Sequence, residues 1–122
     1  MSNRDNFIQK TKDELARRVA WLCSNPNCRR ATIGAKYGSE GVITTGIAAH
    51  ITAAAPGGPR YNLALTPDQR KHITNGIWLC SNCSILIDRD EDAFPVSLLN
   101  DWKRIARVEL LLLLQGQALM LN

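Results

Sequence analysis

The 122-residue sequence has no long apolar segment. Its longest apolar run is the five leucines at residues 110–114, whereas a helix needs about 20 apolar residues to cross a bilayer. Residues 1–12 are polar and have no apolar centre of the kind that a signal peptide requires. We therefore expect a cytoplasmic protein with no membrane partner.

Strong charge of one sign, internal repeats and low-complexity tracts are also lacking. The net charge of +4 suits a nucleic-acid partner, but many proteins without such a partner are equally basic. Apolar residues make up 45% of the chain and charged residues 21%, values typical of a folded soluble domain. The length predicts one domain with a modest core, small enough to gain from a metal that cross-links it.

Four cysteines occur as two closely spaced pairs, Cys23-x4-Cys28 and Cys80-x2-Cys83. In a reducing cytosol such pairs are typical of metal-bound thiolates rather than disulfides. Two short turns that carry four sulfur ligands suit the tetrahedral geometry of zinc, and a site closed by four protein ligands is structural. Any chemistry is then expected elsewhere. The alternatives are four buried thiols without a metal, or a redox role for Cys80 and Cys83 that leaves the first pair unexplained.

Local signals predict several helices and strands. A capping-box pattern that starts at Thr11 predicts a helix from Lys12 to Cys23. β-branched residues predict strands over residues 42–45 and 47–51.

The second half of the chain has clearer helix signals. Thr66, Pro67 and Gln69 form an N-cap, a first-turn proline and a capping-box glutamine, which predict a short helix through about Ile73. We also expect a strand-like arm over residues 76–79, a helix over 83–88, and a last helix that Pro95 opens.

Several motifs, in this order, resemble the zinc-knuckle branch of the HNH endonucleases, the ββα-metal nucleases. The motifs are the two cysteine pairs and the segments AAHITAAAPGGPRY (48–61), LTPDQR (65–70), NGIWLC (75–80), LID (86–88) and WK (102–103). They are most similar to the HNH domains of bacterial anti-phage effectors. In CBASS systems such a domain is often fused to a SAVED sensor of cyclic oligonucleotides. The resemblance extends over residues 23–107.

This resemblance implies both a fold and an activity. The fold would be α+β, with a small ββα-metal HNH core over about residues 20–107, a four-cysteine zinc knuckle and flanking helices, all within a single domain over residues 1–122. The activity would be that of a metal-dependent DNA endonuclease, which hydrolyses phosphodiester bonds of double-stranded DNA without sequence preference in anti-phage defence. The implied cofactors are structural zinc at the cysteines and catalytic Mg²⁺ or Mn²⁺.

The same resemblance assigns roles to three residues. His50 corresponds to the general base that takes a proton from the attacking water, and Asn75 to a residue that orients the hairpin carrying this base. Asp88 and His50 correspond to ligands of the catalytic cation. Ala49 and Ser84, however, stand where the family commonly has metal ligands. The alternative function is therefore a catalytically degenerate zinc-knuckle module that binds nucleic acid or another partner.

Basic residues near this centre are candidates for contact with DNA. Arg60, Arg70 and Lys71 are predicted to contact backbone phosphates, and such contacts weaken with salt. For Arg60, a bidentate grip on a phosphate and a surface ion pair are equally open.

The leucines at residues 110–114 predict a helix that is apolar on every side. Such a helix must be buried on more than one face. Because the core of the domain covers only one face, we expect the leucine-rich helix to pack against a second copy of the chain or against a following sensor domain.

Overall fold

The computed structural model describes residues 4–117 and has the predicted α+β class. Residues 1–3 and 118–122 lie outside the described part, so the bounds of the domain at residues 1 and 122 stay a prediction. The elements in chain order are α1 (Gln9–Arg17), β1 (Ile33–Ala35), β2 (Val42–Thr44), β3 (Gly46–His50), α2 (Pro67–Arg70), a 3-10 helix (Ile73–Asn75), β4 (Gly76–Cys80), α3 (Ser81–Arg89) and α4 (Val96–Leu114).

The centre of the fold is the antiparallel hairpin of β3 and β4. Its register pairs Gly46 with Cys80 and His50 with Gly76. β4 is buried along its whole length, as its apolar sequence requires. Glycine is necessary at position 46, because a Cβ there would lie 2.1 Å from the ring of Trp78. The two strands predicted for this region are confirmed to within one residue at each end.

Two apolar clusters cover the two faces of this hairpin. Alternate residues of a strand point to opposite faces, so Ile77 and Leu79 join one cluster and Trp78 joins the other. Their partners are Ile87, Leu99 and Trp102 of α3 and α4 in the first cluster, and Phe7, Leu15 and Val19, on or beside α1, in the second. The hairpin is therefore packed between α1 on one face and α3 and α4 on the other, and α4 also adds Ala106 to the cluster on the α1 side.

The first helix differs from its prediction at both ends. It begins at Gln9 instead of Lys12, without a capping side chain, since Gln9 and Lys10 are good helix formers and nothing before Thr11 breaks the helix. It ends at Arg17 instead of Cys23, because the chain reverses through left-handed backbone at Ala20 (φ 53°) and Trp21 (φ 63°). This reversal lets the Cys23 N–H bond the Arg30 carbonyl and closes the first cysteine loop.

The remaining local predictions agree well with the structure. The strand predicted over residues 42–45 is β2, which pairs with β1. The Thr66 hydroxyl accepts from the Gln69 N–H and the Gln69 side chain accepts from the Thr66 N–H, so the capping box is confirmed. The helix it starts ends at Arg70 rather than Ile73, and the 3-10 helix follows separately. The helix expected over residues 83–88 is α3, and α4 follows Pro95.

The last turns of α4 expose several leucines. Leu111, Leu113 and Leu114 have 47%, 40% and 83% of their surface accessible. Within residues 4–117, no helix combines the length and the apolar character needed to span a bilayer. Burial of the leucine-rich end by a second copy or a following domain stays a prediction.

Candidate functional site

The four cysteine sulfurs converge at the junction of β4 and α3. All four Sγ atoms lie within 4.8 Å of one another, and Cys28 Sγ is 3.9 Å from Cys80 Sγ. A tetrahedral zinc with bonds of about 2.3 Å requires sulfurs about 3.8 Å apart, so the residues fit such an ion. Asn25 Nδ2 donates to Cys83 Sγ at 3.5 Å, and the Cys83 N–H donates to Cys80 Sγ at 3.4 Å. These donors favour charged sulfurs, and the cluster can hold a metal ion.

Convergence of both pairs bears on the alternatives to a metal site. A redox role for Cys80 and Cys83 alone leaves the approach of Cys23 and Cys28 without a reason. Burial raises the pKa of the Cys23 thiol, so metal binding has to displace a proton from it. The cluster brings the first cysteine loop against the start of α3, two segments that are far apart in the sequence. A metal bound there would cross-link them.

His50, the last residue of β3, is held by the segment that precedes α1. Its ring stacks on Phe7 with centroids 3.9 Å apart and planes 8° apart. Its Nε2 lies 2.9 Å from the Asp5 carbonyl oxygen. A carbonyl only accepts, so Nε2 carries the proton and Nδ1 of the neutral ring is free to take one. Burial lowers the pKa of His50 below its usual value of 6.5, which favours this neutral form at pH 7.

Asn75 fixes the backbone that immediately follows His50. Its Oδ1 accepts from the Thr52 N–H at 3.0 Å, and its Nδ2 donates to the carbonyls of Thr52 at 2.9 Å and Arg70 at 2.8 Å. The Asn75 carbonyl also accepts from the Ile51 N–H at 2.8 Å. The side chain is buried, so these bonds are shielded from water. This geometry suits the orienting role predicted for Asn75, and Asn75 also precedes the turn into β4.

His50 and Asp88 line one cavity of about 220 Å³, together with Ala49 and Ser84. Ser84 and Asp88 lie one turn apart on α3, as the sequence predicts. The Asp88 side chain is half-exposed, with 48% of its surface accessible. Among residues 4–117, the four cysteines form the only group of three or more His, Cys, Asp or Glu side chains placed to hold an ion. A cation in the cavity would thus take its remaining ligands from water and substrate.

Arg60 connects the two elements that carry His50 and Asp88. Its Nε donates to the Ile51 carbonyl at 2.7 Å, Nη1 to the Ile87 carbonyl at 2.8 Å, and Nη2 to Asp88 Oδ1 at 2.9 Å. Only 5% of its side-chain surface is accessible. The ion pair left open by the sequence is therefore present, with the Arg60 side chain buried and the Asp88 side chain half-exposed. No local pattern around Arg60 identifies these partners.

Arg70 and Lys71 have opposite environments although they are adjacent. Arg70 is buried: Nη1 donates to Asp5 Oδ2 at 3.1 Å, Nη2 donates to the Leu65 carbonyl at 2.6 Å, and its guanidinium lies 4.8 Å from the centre of the Tyr61 ring. By holding Asp5, Arg70 supports the carbonyl that His50 contacts. Lys71 is exposed and lies 3.7 Å from Asp68.

Sequence reasoning missed Asp5 and Phe7 as parts of this site. They precede α1, far from His50 in the chain, and carry no motif that indicates contact with a histidine.

Comparison with known proteins adds no assignment. A scan of the sequence against protein-family models finds no match. A search among curated proteins likewise finds no match. The resemblance to HNH nucleases therefore depends on the motif residues themselves.

Proposed function

We propose that the protein is a metal-dependent HNH-type endonuclease that hydrolyses phosphodiester bonds in double-stranded DNA. The observation that carries the proposal is the cavity in which a neutral His50, with Nε2 held by a backbone carbonyl, shares the lining with Asp88. Strand β3 and helix α3 line this cavity, and β4, which pairs with β3, leads directly into α3. This is the order of elements that a ββα-metal site requires.

The residues of the chain suit hydrolysis of a phosphodiester. His50 Nδ1 accepts the proton of the attacking water, and the stack on Phe7 and the bond to Asp5 keep the ring in one orientation. Asp88 Oδ1 is bound to Arg60, so a cation in the cavity would bind the second carboxylate oxygen. A bound Mg²⁺ or Mn²⁺ would stabilise the charge on the leaving oxygen, and Mg²⁺ needs few protein ligands because it keeps several waters.

The metal at the four cysteines is proposed to be structural zinc. Four sulfur ligands at tetrahedral spacing select zinc over the hard cations Mg²⁺ and Ca²⁺. Because all four ligands come from the protein, this ion has no open position for substrate.

Contact with DNA is proposed to involve first the exposed Lys71. Arg60 and Arg70 are engaged inside the protein, and their contribution to DNA binding is proposed to be indirect, through the shape of the site. The exposed leucines at the end of α4 support the proposal that the effector works with a second copy of the chain or a following sensor domain, as in anti-phage defence.

Plasmid degradation tests the nuclease. The wild-type protein is incubated with supercoiled plasmid and Mg²⁺ or Mn²⁺, alone and fused to a dimerising helix, beside His50→Ala and Asp88→Ala. Matched controls are His72→Ala, at an exposed histidine, and Asp92→Ala, at an exposed aspartate after α3. Cleavage is expected to fall at least about 100-fold in His50→Ala, because general-base catalysis alone contributes this much. It is expected to fall also in Asp88→Ala, which removes a ligand of the cation, and to persist in both controls.

The alternative is a degenerate module that binds nucleic acid without cleaving it. The presence of Ala49 and Ser84 on the cavity wall, with Asp88 already paired to Arg60, favours this second candidate. Absence of cleavage in every form, with salt-sensitive DNA binding retained, would support it and overturn the nuclease.

A further inference from the structure

Three basic side chains surround a small depression between α1 and α4. Arg18 lies at the end of α1, and Lys103 and Arg107 lie one turn apart on α4. The other residues that line the depression are mainly apolar: Leu15, Val19, Ser24, Ile77 and Trp78. The depression has a volume of about 20 Å³, room for a single water. It shares no lining residue with the cavity of His50 and Asp88.

Arg18 and Arg107 are exposed, as arginines on helices commonly are, but Lys103 is unusual because it is partly buried. Its ammonium has three donors and, within the described part of the chain, a single acceptor, the Ile73 carbonyl at 2.6 Å. Burial, with a smaller contribution from the charge of Arg18, lowers the pKa of Lys103 to about 8. Lys103 is therefore a partly desolvated cation beside the second positive charge of Arg18, a placement that is costly without a negative partner.

The other shielded cations of the protein have such a partner. Each arginine with a mostly buried side chain forms an ion pair within 4 Å, Arg29 with Glu109, Arg60 with Asp88 and Arg70 with Asp5. Across residues 4–117, no acidic side chain pairs with Arg18, Lys103 or Arg107. Among residues 4–117, Lys103 is thus the only cationic side chain that is at least partly buried and has no acidic partner.

We propose that Arg18, Lys103 and Arg107 form an anion site that takes a phosphate group. The phosphate lies over the mouth of the depression, since the depression itself holds only a water. Its oxygens accept from the Lys103 ammonium, and each arginine can offer two parallel N–H groups. The phosphate belongs either to a nucleic-acid backbone or to a small phosphorylated ligand.

Thermal unfolding in inorganic phosphate tests the site. The unfolding midpoint of the wild type is measured in phosphate and in sodium chloride of equal ionic strength. Phosphate stabilises most proteins slightly by exclusion from their surface. The rise in unfolding midpoint from sodium chloride to phosphate is therefore compared among variants. Lys103→Met and Arg107→Gln are expected to lose most of it. Arg104→Gln is expected to keep it, because Arg104 is exposed and lies near Asp101 instead.

Arg107 is exposed, so Arg107→Gln keeps the test valid even if Lys103→Met fails to fold. Equal increments in the wild type and in Arg107→Gln would overturn the proposal. None of these readouts needs cleavage, so the result is independent of the nuclease.

Two further titrations identify the source of the phosphate. Duplex DNA is titrated without divalent cations over a range of salt, and adenosine monophosphate is titrated by calorimetry. If the backbone is the ligand, Arg107→Gln reduces the slope of log affinity against log salt by about one. If a small ligand is bound, the DNA slope is unchanged and binding of the nucleotide is lost.

Discussion

Replacement of Asn75 by alanine should measure how much the side-chain hydrogen bonds of Asn75 contribute to the free energy of unfolding. The change removes three side-chain hydrogen bonds, from the Thr52 N–H and to the carbonyls of Thr52 and Arg70. At about 1 kcal/mol per bond, the free energy of unfolding should fall by about 3 kcal/mol. For a chain of this length, that corresponds to a decrease of about 10 °C in the unfolding midpoint.

Urea unfolding followed by tryptophan fluorescence measures this loss. Asn75→Asp should be at least as destabilising, because its carboxylate keeps the acceptor but faces two carbonyl oxygens without a donor. Asn100→Ala is the control: Asn100 is exposed on α4, and its loss should cost less than about 0.5 kcal/mol. A decrease below about 1 kcal/mol for Asn75→Ala, or a stable Asn75→Asp protein, would refute the reasoning, since these bonds would then contribute less than typical buried bonds.

Three further predictions concern the metal, the histidine and the hairpin. If the four cysteines hold zinc, as proposed, a strong chelator should lower the unfolding midpoint and added zinc should restore it, as circular dichroism would record. The lowered pKa of His50 means that the unfolded chain binds the proton first as the pH falls. Without added Mg²⁺ or Mn²⁺, the wild type should therefore lose stability relative to His50→Gln as the pH falls below 6.5, and a constant difference would contradict this. Gly46→Ala should destabilise by about 1–3 kcal/mol through overlap with Trp78, whereas Gly34→Ala, with open space around its Cβ position, should be nearly neutral by calorimetry.

Predictions that depend on residues close together in the sequence agree with the structure, whereas predictions that depend on distant residues are less accurate. The capping box at Thr66 depends on residues three apart and is present as predicted. The apolar pattern of β4 reflects burial on both faces, which a strand at the centre of a fold requires. The end of α1 was wrong because no local signal shows that Ala20 and Trp21 must adopt left-handed backbone. That reversal leads into the first cysteine loop, which the bond from the Cys23 N–H to the Arg30 carbonyl closes.

The predictions for the candidate site show the same difference between local and distant residues. Spacing along α3 is sufficient to place Ser84 and Asp88 on one face, and the structure adds that His50 lines the same cavity. The partners of Arg60 and the contacts of Asp5 and Phe7 with His50 join residues that are distant in sequence. Nothing in the neighbouring residues specifies such pairs.

The sequence alone thus determined the two cysteine turns, the helix start at Thr66 and the apolar strand β4, because each depends on residues close together in the chain. Only the tertiary structure decided which charges are internal. It placed Arg60 and Arg70 against acidic partners and left Lys103 without one. The physical reason is that the energy of a charge depends on the water and the partners that surround it, and distant segments supply both only when the chain has folded.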